Sequence, residues 1–173
     1  MRVAARSALA GSEIFQVGFV VADLDASLRA FARSFGLSSW LGWNYDGELL
    51  GWRSFEGEPA EFSMRLAIAG EGPQVELIEA VDGPDVYSGW LAEGEPARLH
   101  HFGFVVDSFE ATRERLQAEG APLVMAAGGH GIDGDGAFGY FDTRGSGTGL
   151  WTEVIQPARE RRVPGEVIEI EGV

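Results

Sequence analysis

Apolar and polar positions alternate from Ile14 to Val21, as in a strand with one buried face, and the same wording returns from Leu99 to Asp107. Gln16 stands at the place of His101, Gly18 at Gly103, Phe19 at Phe104 and Val20-Val21 at Val105-Val106. A repeat of this size predicts two copies of one supersecondary unit. In the first copy Asp23 caps a helix over Asp25 to Ser34, where Leu28, Phe31, Ala32 and Phe35 recur at helical spacing until Gly36 stops it. In the second, the turn at Asp107 opens a helix over Phe109 to Ala118, with Gly120 as its stop.

Strand patterns follow each helix. Phe62 to Ala69 and Gln74 to Ala80 alternate on either side of the turn Gly70-Glu-Gly-Pro73, and Pro122 to Ala127, Ala137 to Asp142 and Gly149 to Ile155 do so in the second copy. Before them, Trp40, Trp43, Tyr45 and Trp52 crowd an irregular stretch, either as core packing or as one wall of an apolar pocket. The chain thus divides into a flexible N-terminus (1–12), a first βαβββ module (13–81), a connector (82–98), a second module (99–157) and a polar tail (158–173). Gly83-Pro84 is expected to open a short helix in the connector, through Tyr87, Trp90 and Leu91. Val167 to Ile170 offers an edge strand in the tail. The glycine-rich run Gly128 to Gly136 lacks the Lys of a P-loop and the terminal Glu of a calcium loop, so it reads as a mobile flap. Its His130 is expected in solvent, with contact to substrate as a lid residue the alternative.

Composition narrows the chemistry. The 173 residues, 45% of them hydrophobic, suffice for a buried core. A net charge of −14 excludes nucleic acid and anionic membrane surfaces as partners. The single basic cluster, Arg159, Arg161 and Arg162, lies in the tail. Lysine is absent, which rules out Schiff-base catalysis, and cysteine is absent, which rules out disulfides and thiolate sites. No signal peptide or membrane span is apparent, so a cytoplasmic protein is expected.

The last strand of each copy carries one carboxylate in an apolar setting, Glu76 in Val75-Glu-Leu-Ile78 and Glu153 in Thr152-Glu-Val-Ile155. With Gln16 and His101 at the starts of the repeated strands, this makes a set of Gln16, Glu76, His101 and Glu153. Strand alternation places Gly18 beside Gln16 and Gly103 beside His101, leaving room for a ligand. Three oxygens and one imidazole nitrogen suit one divalent ion of the Mg, Mn, Fe, Co, Ni or Zn group that keeps open positions. By the same alternation His100 and Glu79 fall on opposite faces from His101 and Glu76, His100 in a structural role. Arg53, Arg65 and Arg144 either hold a substrate anion or lie at the surface.

This two-copy pattern resembles the vicinal oxygen chelate superfamily, which includes glyoxalase I, methylmalonyl-CoA epimerase, extradiol dioxygenases and bleomycin resistance proteins. The run Val75-Glu-Leu-Ile-Glu79, Asp82-Gly-Pro84, Leu99-His-His101, Tyr140-Phe-Asp-Thr143 and Glu153 is most similar to the epimerase-like branch. The resemblance implies an α+β fold of two pseudo-symmetric βαβββ modules forming a curved mixed-sheet cup, and homodimerisation. It also places Gln16, Glu76, His101 and Glu153 on the family's four ligand positions. Gln16 stands where epimerases and dioxygenases carry histidine, which disfavours extradiol iron chemistry. The expected function is that of a metal-dependent isomerase, epimerase or lyase acting through an enolate or enediolate of a small carbonyl or acyl-thioester substrate. Glu153 or Glu76 is the base. The alternative is a non-catalytic small-molecule binding protein of the bleomycin-resistance type.

Overall fold

The computed structural model describes residues 7–172. In chain order the elements are β1 (Gln16–Val21), α1 (Leu24–Phe35), β2 (Ser39–Tyr45), β3 (Trp52–Phe55), β4 (Glu58–Pro59), β5 (Ser63–Ala69), β6 (Gln74–Asp82), β7 (Ala97–Val105), α2 (Phe109–Ala118), β8 (Leu123–Gly128), β9 (Ala137–Phe141), β10 (Trp151–Gln156) and β11 (Glu166–Glu169). All the strands join one mixed sheet in the order β11-β2-β5-β6-β1-β7-β10-β9-β8-β3-β4. The seam is the antiparallel β1·β7 pair, and each of these strands has the final strand of its own repeat, β6 or β10, as a parallel neighbour. The α+β class expected from the pattern is what the chain adopts.

Local chemistry sets the helix ends. Asp23 accepts a hydrogen bond from Ala26 N–H at 2.8 Å and Gly36 turns out of α1 at φ 72°, a conformation that glycine adopts without strain. The odd-numbered side of β6, with Val75 and Leu77, packs with Leu28 and Trp40 in the cluster beneath α1. The even-numbered side, with Ile78 and Ala80, joins Val20, Met64, Leu66 and Tyr140 in a second cluster on the concave face. Glu79 keeps to the α1 side, where it accepts from Leu24 N–H and pairs with Arg65. That alternation aims Gln16, Glu76 and Glu153 at the concave face.

Several expectations change. Asp85 accepts N–H bonds from Tyr87 and Ser88, so the connector closes into turns, and no helix forms there. The aromatic stretch holds two strands, of which β3 crosses to the far edge and pairs with β8. The tail supplies the expected edge strand, β11, paired with β2. Ala8 and Leu9 pack beside Phe109 and Leu116, while residues 1–6 of the expected flexible N-terminus lie outside the described residues. Among the described residues no helix is long and apolar enough to cross a membrane.

Candidate metal centre

Four side chains from four adjacent strands meet on the floor of the concave face. Gln16 (β1), Glu76 (β6), His101 (β7) and Glu153 (β10) are 2%, 4%, 0% and 4% exposed, so all are withdrawn from bulk water. His101 Nε2 lies 3.3 Å from Glu76 Oε2 and 3.2 Å from Glu153 Oε2. Ligand atoms of these three residues fall within 4.8 Å of one another. Gln16 Oε1, Glu76 Oε2, His101 Nε2 and Glu153 Oε2 are all buried without a hydrogen-bond partner, a costly arrangement unless something else satisfies them. All four come from one chain, two from each repeat.

Glycines make the space. Gly18 pairs with His101 across the seam, and a methyl group there would lie 1.8 Å from Cε1 and 2.1 Å from Nε2 of the imidazole. At Gly103 it would meet Gln16 Oε1 at 3.1 Å and Glu153 Oε2 at 3.2 Å. Neither position tolerates a side chain without moving a member of the cluster.

His100 is where simple alternation fails. Gly18 pairs with His101 but Phe19 pairs with Leu99, so His100 is the extra residue of a β-bulge. The bulge brings His100 Nδ1 within 3.0 Å of His101 Nδ1, while His100 Nε2 sits 3.0 Å from Val86 O. An imidazole that offers its Nε2 lone pair carries its proton on Nδ1; His101 would then donate to His100, and His100 through Nε2–H to Val86 O. The donor set and its supporting hydrogen bonds therefore fit a divalent cation.

Burial and the neighbouring Glu153 charge raise the Glu76 carboxyl to about 6. Burial opposes the His101 imidazolium, but Glu153 and Glu76 outweigh it and lift His101 to about 9. Burial and the His101 charge press His100 down to about 2, keeping it neutral.

Above the floor is a cavity of about 410 Å³, walled by Leu41, Trp43, Tyr45, Met64, Phe138 and Tyr140 among others. Trp43 and Tyr45 thus form a pocket wall, while Trp40 packs under α1 and Trp52 stays on the exposed sheet edge. Their spacing, two apart on one strand, is the signal that marks this wall. His130 is 3% exposed and lines the cavity, contrary to the solvated flap expected of it: Gly129 N–H bonds to Gly136 O, and Gly131 N–H to Asp135 O, folding the loop inward. Arg161, from the expected polar tail, also lines the cavity, and no local pattern announces it. Arg53, Arg65 and Arg144 pair with Glu61, Asp25 and Asp142 instead.

Residues 15–140 match the sequence model of the Glyoxalase/Bleomycin resistance protein/Dioxygenase superfamily. A comparison with curated proteins finds no match. Among solved structures, the chain is similar to methylmalonyl-CoA epimerase from Mycobacterium tuberculosis, at 20% identity and a TM-score of 0.57, covering 91% of this chain and 94% of that one. A variant methylmalonyl-CoA epimerase from Streptomyces coelicolor, in complex with 2-nitronate-propionyl-CoA, is similar at 17% identity and a TM-score of 0.60, covering 88% and 99%. A hypothetical protein from Bacillus halodurans C-125 is similar at 15% identity and a TM-score of 0.58, also covering 88% and 99%. At these identities the likeness shows a shared fold.

Proposed function

The chain belongs to the Glyoxalase/Bleomycin resistance protein/Dioxygenase superfamily, and from that premise we propose that it is a metal-dependent isomerase, epimerase or lyase acting on a small carbonyl or acyl-thioester substrate. The observation that carries this reading is the convergence of four buried donor atoms, none in a well-formed hydrogen bond, on the cavity floor. Gln16, Glu76, His101 and Glu153 would hold the ion, which when bound supplies Lewis acidity to a carbonyl oxygen and the enolate derived from it.

The carboxylates move the proton. Glu76 or Glu153, on either side of His101, can loosen from the ion, take a proton from the carbon next to a carbonyl and give it back. Return to the same carbon inverts its configuration, and return to the neighbouring carbon isomerises the substrate. The apolar wall of Trp43, Met64 and Phe138 lowers the polarity around the floor, which strengthens these electrostatic interactions. Gly18 and Gly103 keep the floor open.

Elemental analysis of purified protein beside His101→Ala tests the reading. About one divalent ion per chain is expected in the wild type, with loss in the variant. A wild-type protein that stays empty after incubation with Zn²⁺, Ni²⁺, Co²⁺ and Mn²⁺ would overturn it. His100→Phe keeps an aromatic ring but removes the partner of His101 Nδ1, and is expected to weaken ion binding by roughly 10- to 100-fold. Chelator competition measures this, and unchanged affinity would remove His100 from the centre's support.

A further inference from the structure

The proton chemistry of the floor does not employ Arg161. The chain beyond Pro157 is laced along the cavity wall: Ile132 N–H donates to Glu160 O at 3.0 Å, Arg162 N–H to His130 O at 2.9 Å, and Arg162 Nη2 to Leu49 O at 2.6 Å and Gly129 O at 3.1 Å. This lacing fixes the Arg161 guanidinium over Trp43, 4.6 Å from the ring centroid, where Nη1 donates to Tyr45 Oη at 2.7 Å. Among the described residues the guanidinium makes no salt bridge, and Tyr45 is its one side-chain hydrogen-bond partner. His130 stacks against the other side of this corner, with its ring centroid 6.3 Å from that of Tyr45, and its buried Nδ1 has no partner.

We propose that Arg161, with His130 beside it, anchors a carboxylate of the substrate, so that the cavity takes a small, largely apolar carboxylic acid with its reacting carbon toward Glu76 and Glu153. This rests on the floor being the reacting end. The guanidinium has five N–H donors in a planar fork that matches a carboxylate, and Tyr45 occupies one of them. Cation–π contact with Trp43 holds the fork in place, so little freedom is lost on binding. The floor supplies two carboxylates, whose charge a divalent ion would balance, leaving the Arg161 charge for the ligand. A monoanion matches that single charge. The remaining wall, with Trp43, Met64, Leu66 and Phe138, suits an apolar body, and about 410 Å³ lies at the small end of ligand pockets, roughly 300–1,000 Å³.

Isothermal titration of the full chain with phenylacetate, hexanoate and their primary amides, with and without one equivalent of Zn²⁺, tests the anchor. At least one acid is expected to bind roughly 10- to 100-fold more tightly than its amide. Arg161→Gln is expected to abolish that preference, bringing the acid to the affinity of its amide, while leaving the ion content unchanged; Arg161→Lys, which keeps the charge without the fork, retains part of it. Equal binding of acids and amides by the wild type, or binding of none of these probes, overturns the proposal. A preference that requires Zn²⁺ and survives Arg161→Gln also overturns it, while leaving the metal centre standing. A preference lost with Arg161→Gln in a protein that binds no ion upholds the anchor and overturns the metal centre.

Discussion

Gly18→Ala is expected to lower folding stability by about 3 kcal/mol, the upper part of the usual range for overpacking, and to abolish binding of a divalent ion. The new methyl group would lie 1.8 to 2.5 Å from three atoms of the His101 ring. Three restraints oppose its retreat. His101 Nδ1 is tied to His100, Tyr140 packs edge-on at a centroid distance of 5.1 Å, and the backbones of Gly18 and His101 are paired strand to strand. Relief therefore requires either that the seam shift or that the ring leave the floor. Urea denaturation of the two proteins measures the first effect and elemental analysis the second. Wild-type stability with intact ion binding would show that the ring does not occupy the face of Gly18.

Raising the pH from 6.5 to 9 is expected to destabilise the ion-free protein by on the order of 3 kcal/mol through His101. Buried between two carboxylates, this imidazole titrates near 9 in the folded chain against 6.5 for an ordinary histidine, so the folded state binds its proton more tightly. The stabilisation is complete below pH 6.5 and is lost as the pH rises through 9. Glu76 acts in the same direction at lower pH, between 4.5 and about 6, because its carboxyl is also raised. An ion at the cluster requires neutral His101 and ionised carboxylates, so the loaded protein should lack the alkaline loss and should instead release its ion on acidification. Denaturation midpoints of chelator-treated and Zn²⁺-loaded protein at pH 6 and pH 9 decide this. An equal alkaline loss in both forms would remove His101 from the centre.

The floor was legible because strand alternation and the internal repeat both act on it. Gln16 opens β1, His101 lies within β7, which starts four residues earlier than the repeat suggests, and Glu76 and Glu153 sit opposite the matched Gly18 and Gly103 on the parallel neighbours, so period-two geometry brings all four to one face. The second helix fell on its observed bounds, Phe109–Ala118, for an equally local reason: Ser108 accepts from Ala111 N–H at 3.2 Å and the chain turns at Gly120. Non-local chemistry hid the rest. His100 departs from alternation because of a bulge specified by pairing with β1 rather than by its own neighbours. The connector lost its expected helix to one Asp85 carboxylate that captures two N–H groups. His130 and Arg161 look solvated in composition, one among glycines and the other among charges, and they become pocket residues only because the segments carrying them hydrogen-bond to each other across 28 or more positions of chain, as in Arg162 N–H to His130 O and Ile132 N–H to Glu160 O.

The floor of the cavity and the wall at Arg161 are built by different means. Four adjacent hydrogen-bonded strands carry the floor, whereas a few backbone hydrogen bonds and two arginine side chains hold the segment beyond Pro157. Under the proposed anchor, substitutions in that segment would change which ligands are held while the strands carrying Gln16, Glu76, His101 and Glu153 keep their pairing. On that proposal, ligand choice and ion binding are separable, one written in a single short stretch and the other in the sheet.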